Sequence, residues 1–259
     1  MEDEAERFPV LRITKEGRSN PELEVAKEFL FTIFLNDREL ATLICSPKNL
    51  QYLAVGFLAS EGLLGGKDKI KKMEIDDWMG VARMEIKGVN MIDDGFFAKR
   101  LLASGCGGAA TFYSNADATT PEIKSAMKIS PGEVFALVSE FQHRSQLYLS
   151  THGVHSAALA DGKEIIVFSE DIGRHNAIDK IFGKCLLEDI TTNDRLIITS
   201  GRITSEILHK VAKRGIPTII SISAPTSLGL LTADKLGITL IGSVRAKSMN
   251  IYTNNWRVK

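Results

Sequence analysis

The sequence has no excess of either charge, few cysteines and no long apolar run, and each absence removes a class of function. Lysine plus arginine and aspartate plus glutamate both total 32 among 259 residues, so the formal net charge is zero. No global field draws such a chain to nucleic acid or to an anionic membrane, and an anionic ligand must be held by a local constellation. No uninterrupted apolar stretch approaches the roughly 18 to 20 residues of a membrane span. The start, Met1-Glu2-Asp3-Glu4, is acidic where a secretory signal is basic and then apolar. The expected location is the cytoplasm. Three cysteines, Cys45, Cys106 and Cys185, are an odd number spread far apart, which suits free thiols in a reducing compartment and not a disulfide framework.

With 44% apolar and aromatic residues and 25% charged ones, the chain has the balance of an ordinary globular protein. Residues 1–22 are polar without clear periodicity. Leu23 to Leu35 then reads as a strand that turns at Asn36-Asp37 into a second, Glu39 to Cys45. Ser46-Pro47 reads as the start of a helix carrying Leu50, Leu53, Ala54, Phe57 and Leu58 on one face, closed by Gly62. Cys45, at a strand end beside this helix, is expected to be structural. Two further strands are expected around Trp78-Met79-Gly80, followed by the loop Ala103-Ser104-Gly105-Cys106-Gly107-Gly108-Ala109-Ala110. Residues 114–121 are a polar linker, which divides the chain into a small strand-rich subdomain over 1–115 and a second subdomain over 122–259.

The second part alternates strand and helix. Ser130-Pro131-Gly132-Glu133 predicts a capping box and a helix to about Leu149. Strands Ala157 to Leu159 and Glu164 to Ser169 flank a turn at Asp161-Gly162. A helix follows over His175 to Leu187, then strand Arg195 to Thr199, helix Thr204 to Arg214, strand Thr218 to Ser223, helix Ser227 to Leu236 and strand Ile238 to Ser243. Short apolar strands separated by helices argue for an α/β fold with a largely parallel sheet covered on both faces. The apolar hairpin at Phe29 to Leu35 is expected to offer the edge of a homodimer, the commonest assembly.

Four places could carry chemistry. Gly105, Gly107 and Gly108 leave the Cys106 sulfur unshielded and the backbone free to bend, so this thiol reads either as reactive or as a small buried hydrophobe. His152 and His155 are spaced for a metal, but Ala157 stands where a deaminase glutamate would be, and Ala224-Pro225-Thr226-Ser227 carries no thiol. No zinc site is expected. The run Glu170-Asp171-Ile172-Gly173-Arg174-His175-Asn176-Ala177-Ile178-Asp179-Lys180 sits at a strand-to-helix junction. It reads as a binding edge for an anion or nucleotide, or as a well-capped helix with a solvated polar first turn. Ser200-Gly201-Arg202 and Ser221 to Ser227 are further polar turns at successive strand ends, and ligands of open α/β sheets bind at that edge. Arg202 has the forked geometry that holds a phosphate.

Together with Gly56-Phe57-Leu58-Ala59-Ser60-Glu61-Gly62, Gly153 to Leu159 and Ser223-Ala224-Pro225-Thr226-Ser227-Leu228, these segments closely resemble the formate dehydrogenase accessory sulfurtransferase family, FdhD/NarQ, from about Glu24 to Thr253. The resemblance implies a cytidine deaminase-like three-layer core without the zinc. It implies that Cys106 receives sulfur as a persulfide from a cysteine desulfurase. The sulfur then passes to the molybdenum cofactor, bis-molybdopterin guanine dinucleotide, for formate dehydrogenase. It maps the family's cofactor-binding stretch onto Ser243-Val244-Arg245-Ala246-Lys247-Ser248, with Arg245 and Lys247 on phosphates. Arg174, His175 and Arg202 are added here as candidates for the guanine nucleotide or pterin ends. Two positions depart from the family. Its loop commonly reads Cys-Gly-x-Cys, whereas Ala109 stands at the second cysteine position, and His152 stands where the family usually has glycine. The missing thiol keeps a second reading open, a chaperone that binds the cofactor without handling sulfur.

Overall fold

The computed structural model describes residues 4–88, 100–102, 110–112 and 121–259. Cys106 with its glycine loop, and residues 114–120 of the linker, lie outside the described residues.

Of the first 22 residues, which show no periodicity, those from Ala5 onward are largely strand. β1 (Ala5–Pro9), β2 (Arg12–Thr14), β3 (Gly17–Ser19) and β4 (Glu22–Ala26) pair as β1 with β4 and β2 with β3, both antiparallel, in one two-stranded ribbon. Most of its residues are exposed on both faces, and a strand with no buried face needs no alternation of polar and apolar residues. The expected single strand from Leu23 to Leu35 is therefore two. The backbone leaves the ribbon at Lys27-Glu28 and enters a four-stranded sheet as β5 (Phe29–Leu35).

That sheet also contains β6 (Arg38–Cys45), β7 (Ile70–Asp76) and β8 (Val81–Ile86), in the order β6-β5-β8-β7. Asn36 and Asp37 both have positive φ, 47° and 64°, as a two-residue hairpin turn demands. β5 pairs with β6 on one side and β8 on the other, so Phe29–Leu35 itself has no free edge, whereas its hairpin partner β6 stands at the edge of the sheet. Phe31, Ile33 and Leu35 alternate inward to meet Leu43, Cys45 and α1 (Leu50–Ser60). α1 begins three residues later than Ser46-Pro47 predicts, behind Asn49 at φ 60°, because Ser46 is taken up by a long-range contact described below. β9 (Arg100–Leu102) and β10 (Ala110–Phe112) pair antiparallel.

The larger sheet has the order β12-β11-β13-β14-β15-β16, from β11 (His155–Ala160), β12 (Ile165–Asp171), β13 (Leu196–Thr199), β14 (Thr218–Ser221), β15 (Thr239–Arg245) and β16 (Ser248–Thr253). It is mixed. β13, β14 and β15 run parallel, joined by helical crossovers, whereas the short turns before β12 and β16 force antiparallel pairing. Successive residues of each strand serve opposite layers. Ala157, Leu159, Ile197, Ile219 and Leu240 pack against α4 (Arg174–Leu187), α5 (Ser205–Ala212) and α6 (Ser227–Lys235). Ala158, Ala160, Ile198, Ile220 and Ile241 pack against α2 (Pro131–Arg144). The expected capping box is present, with Glu133 N donating to Ser130 Oγ at 3.2 Å and Ser130 N donating to Glu133 Oε2 at 2.7 Å. The helix expected to reach Leu149 is broken at Ser145, after which α3 (Gln146–Thr151) turns toward the sheet edge.

α1 and α4 join the two halves at a backbone crossing. A Cβ on Gly56 would lie 1.7 Å from the Asp179 carbonyl oxygen, and one on Gly183 would lie 1.9 Å from that of Tyr52. Only hydrogen fits there. Gly183→Ala is therefore expected to cost about 3 kcal/mol and to lower Tm by roughly 10 °C when thermal unfolding is followed by circular dichroism. An unchanged Tm would mean that the crossing is not tight.

Candidate functional site

The C-terminal ends of β12, β13, β14 and β15 and the start of β11 share one edge of the larger sheet. The three polar turns found in the sequence are brought together there. Most of the Glu170–Lys180 run nevertheless turns inward. Asp171 is fully buried. Its Oδ1 accepts from Gly173 N at 2.8 Å and Asn176 Nδ2 at 3.0 Å, and its Oδ2 accepts from Ser46 N at 3.0 Å and pairs with Lys180 Nζ at 2.7 Å. Asn176 Nδ2 also donates to the Ile44 carbonyl at 2.8 Å, Lys180 to that of Ser46 at 3.2 Å, and Ile172 N to Ser46 Oγ at 3.1 Å. These contacts clamp the end of β6 to the start of α4.

One turn later Asp179 accepts from Ser60 Oγ at 2.6 Å and pairs with Lys210 Nζ at 2.5 Å, with Glu61 3.9 Å from the same ammonium. Burial pulls the Lys210 pKa down, but Asp179 and Glu61 outweigh it and hold it above its ordinary value. The first turn of α4 is thus neither solvated nor simply a ligand edge. Asp171, Asn176, Asp179 and Lys180 spend their polar atoms on the protein itself.

Arg174 and His175 point to a different task. Arg174 lies across Gly201, whose Cβ would fall 2.8 Å from the arginine Cβ, so glycine in Ser200-Gly201-Arg202 makes room for it. His175 is largely but not fully buried, with Nε2 3.5 Å from Glu206 Oε2. Burial first, then Lys210 and Arg174, hold its pKa well below the ordinary value. Burial, then Arg174, and Arg202 after the opposing pull of Asp171, lower that of His155. Both rings are neutral in a positive field. Arg202 is exposed in the turn after β13.

A cleft of about 490 Å³ opens beside them, on the α2 face. Phe141, Tyr148, Ile172 and Ile222 give it apolar walls, with His155 and Ser200 among its polar groups. Ser200 Oγ accepts from Ser156 N at 2.9 Å and lies 3.2 Å from His155 Nδ1. Glu170 is raised by burial and accepts from Leu147 N and Tyr148 N at 3.2 and 3.0 Å, which anchors α3 to the edge. His152 ends α3 in the left-handed region, φ 52°, the conformation that glycine adopts without strain. Tyr148, Ile222 and the anchoring role of Glu170 escape sequence reasoning. The one available signal is Ser145, a polar residue four after buried Phe141, whose Oγ bonds the Phe141 carbonyl and Ser156 Oγ.

The stretch Ser243–Ser248 is the end of β15, a two-residue turn and the first residue of β16. Val244 is buried and Ser243 bonds the Ser223 carbonyl at 2.9 Å. Arg245, Ala246, Lys247 and Ser248 are exposed. Arg245 Nη1 donates to the carbonyl of Ile222 at 2.5 Å, and Ile222 lines the cleft. The expected cofactor stretch and the Arg174, His175 and Arg202 group therefore flank one edge.

Because His175 is neutral when folded and takes up a proton in the unfolded chain below about pH 6.5, acid favours unfolding. Stability is expected to be full above pH 7 and to fall below about 6.5, at up to about 1.4 kcal/mol per pH unit from this group. Urea unfolding at several pH values should show a shallower loss for His175→Gln. Equal slopes would contradict burial of the neutral ring.

A model of the FdhD/NarQ family matches residues 26–259. The sulfur carrier protein FdhD of Bacillus pumilus is 42% identical over 236 residues, covering 91% of this chain and 90% of the relative. That of Bacillus subtilis is 41% identical over 242 residues, covering 93% and 92%. Among solved structures, a formate dehydrogenase accessory protein from Desulfotalea psychrophila superposes with a TM-score of 0.80 at 26% identity, over 99% of this chain and 100% of that one. The resemblance carried by the motifs thus extends over almost the whole length, and the chain belongs to the FdhD/NarQ family.

Proposed function

We propose that this chain is a cytoplasmic sulfurtransferase for formate dehydrogenase, working as a homodimer of two-subdomain chains (1–115 and 122–259). It takes sulfur from a cysteine desulfurase as a persulfide on Cys106 and passes it to the molybdenum of bis-molybdopterin guanine dinucleotide. The names of its relatives support the sulfur-carrying part. The observation that carries the reading is the state of the other two thiols. Cys45 and Cys185 are buried, and burial pushes each up to about 12, so neither offers a thiolate near neutral pH. Of three cysteines only Cys106 is left to act as nucleophile.

In the first step the Cys106 thiolate attacks the terminal sulfur of the donor persulfide, a new S–S bond forms, and the donor thiolate leaves. With Ala109 at the partner position, no internal disulfide can close. Release as sulfide then needs an external thiol, which attacks Cys106 Sγ and leaves a mixed disulfide. The cofactor is the substrate here. Its anionic dinucleotide suits an edge that carries Arg174, Arg202, Arg245 and Lys247, where burial first and then Arg174 and Arg202 lower the pKa of His155. The apolar cleft between Tyr148 and Ile222 suits a flat ring, and Ser243, Val244, Ala246 and Ser248 supply the hairpin that presents Arg245 and Lys247. A cytidine deaminase-like arrangement of the larger sheet is supported by its order, with β11 antiparallel between β12 and β13 ahead of three parallel strands. No helix among the described residues is long and apolar enough to cross a membrane.

Ala109 also favours the second reading, a cofactor-binding chaperone without sulfur transfer. In cells that lack their own sulfur carrier, Cys106→Ser is expected to reduce formate dehydrogenase activity at least a hundredfold, to background. Cys45→Ala and Cys185→Ala should keep it wherever the protein accumulates. Full activity of Cys106→Ser would overturn the sulfur-carrier reading.

A further inference from the structure

The ribbon β1 to β4 is a projecting arm that the site does not use. Every residue from Leu11 to Asn20 is exposed, including Leu11 at 60% and Ile13 at 66%. The base of the ribbon packs on α3 through β4, but a two-stranded tip with neither face covered is marginal in water, and apolar side chains clustered there mark a contact surface. The tip is basic, with Arg12, Lys15 and Arg18 against Glu16.

At the base of the same arm lies a cleft of about 530 Å³ lined by Phe8, Val25, Phe29, Pro47 and Trp78. Trp78 is 86% exposed, and the adjoining Met79 is 68% exposed. Its charge is opposite to that of the tip. Of its charged lining groups Glu6 and Lys27 pair with each other at 3.2 Å, which leaves Glu28, with Asp76 and Asp77 just before Trp78, and Lys48 after Pro47 is paired with Glu4 at 2.9 Å. The two features lie about six residues apart along the ribbon, roughly 20 Å at the rise of a strand.

We propose that two copies of this chain exchange these arms, the basic apolar tip of each seated in the acidic apolar cleft at the base of the other. Two ribbons laid side by side in opposite directions bring each tip to the other's base. One two-fold axis then satisfies both contacts with the same surface on each copy. Among the described residues Arg12, Lys15 and Arg18 of the tip and Glu28 of the cleft form no ion pair within their own chain, and the antiparallel pairing supplies both signs at once. The inference rests on the homodimer reading above and names its surface. The contact combines apolar burial with unlike charges, so it weakens as salt rises.

Sedimentation velocity of the full chain at tens of micromolar tests this. The wild type is expected to be a dimer. Ile13→Asp in the tip and Trp78→Asp in the cleft should each raise the dimer Kd at least tenfold, with circular dichroism and Tm of the monomer unchanged because both side chains are solvent-exposed. Arg12→Glu with Arg18→Glu should weaken the dimer likewise, and adding Asp76→Lys and Asp77→Lys to the same chain should restore it to within a few-fold of wild type. A monomeric wild type would overturn the dimer itself. A dimer that all these substitutions leave intact, or charge reversals that do not compensate, would overturn the arm exchange alone. Neither result would touch the role of Cys106.

Discussion

The arrangement depends on one buried carboxylate. Asp171 sits where β12 ends and collects two backbone amides, an asparagine amide and an ammonium on its two oxygens. Two of the four belong to the turn and helix that follow, one to the lysine a further turn along, and one to Ser46 at the end of β6, 125 residues earlier. A charge this deep is tolerable only because every lone pair is used. Removing the carboxylate would leave Lys180, equally buried, without its counter-charge, and truncating one member of such a pair costs about 3 to 5 kcal/mol. The clamp sets how the N-terminal sheet sits on the larger one, and with it the geometry of the edge.

The Glu170–Lys180 string thus does two jobs across the end of β12 and the first two turns of α4. Asp171, Asn176, Asp179 and Lys180 hold the halves together, while Arg174 and His175, interleaved with them, stay at the sheet edge beside Gly201 and Arg202. A helix makes this division natural, because neighbours in sequence face directions about 100° apart. Gly56 and Gly183 belong to the same construction, since the backbones of α1 and α4 must approach closely for Ser60 and Glu61 to reach Asp179 and Lys210.

Local chemistry was legible in the sequence wherever a residue's own preference decides the outcome. Asn36-Asp37 supplies positive φ, Ser130 and Glu133 close a capping box, and the alternation Phe31, Ile33, Leu35 marks a buried strand face. The illegible parts are those fixed by contacts distant in sequence. Ser46 reads as a helix cap until Asp171 claims it. Lys27-Glu28 reads as mid-strand because a change of pairing partner leaves no mark in composition. The ribbon has no periodicity because it has no inside. At the site, His152, His155, Arg174, His175 and Arg202 could be named in advance, whereas Tyr148 and Ile222 could not. Their place on the cleft follows from the break at Ser145 and from where β14 stops.

The proposed reactive centre is consistent with the state of the other two thiols. Of the three cysteines, the two in the described core are held protonated by burial, and the proposal places the sulfur chemistry on the third, Cys106. Incubating the full chain with a cysteine desulfurase and cysteine, then measuring its intact mass, decides between carrier and chaperone without any client enzyme. The account predicts one added sulfur atom per chain, lost on treatment with dithiothreitol, retained in Cys45→Ala and absent from Cys106→Ser. An unchanged mass for the wild-type chain would contradict it.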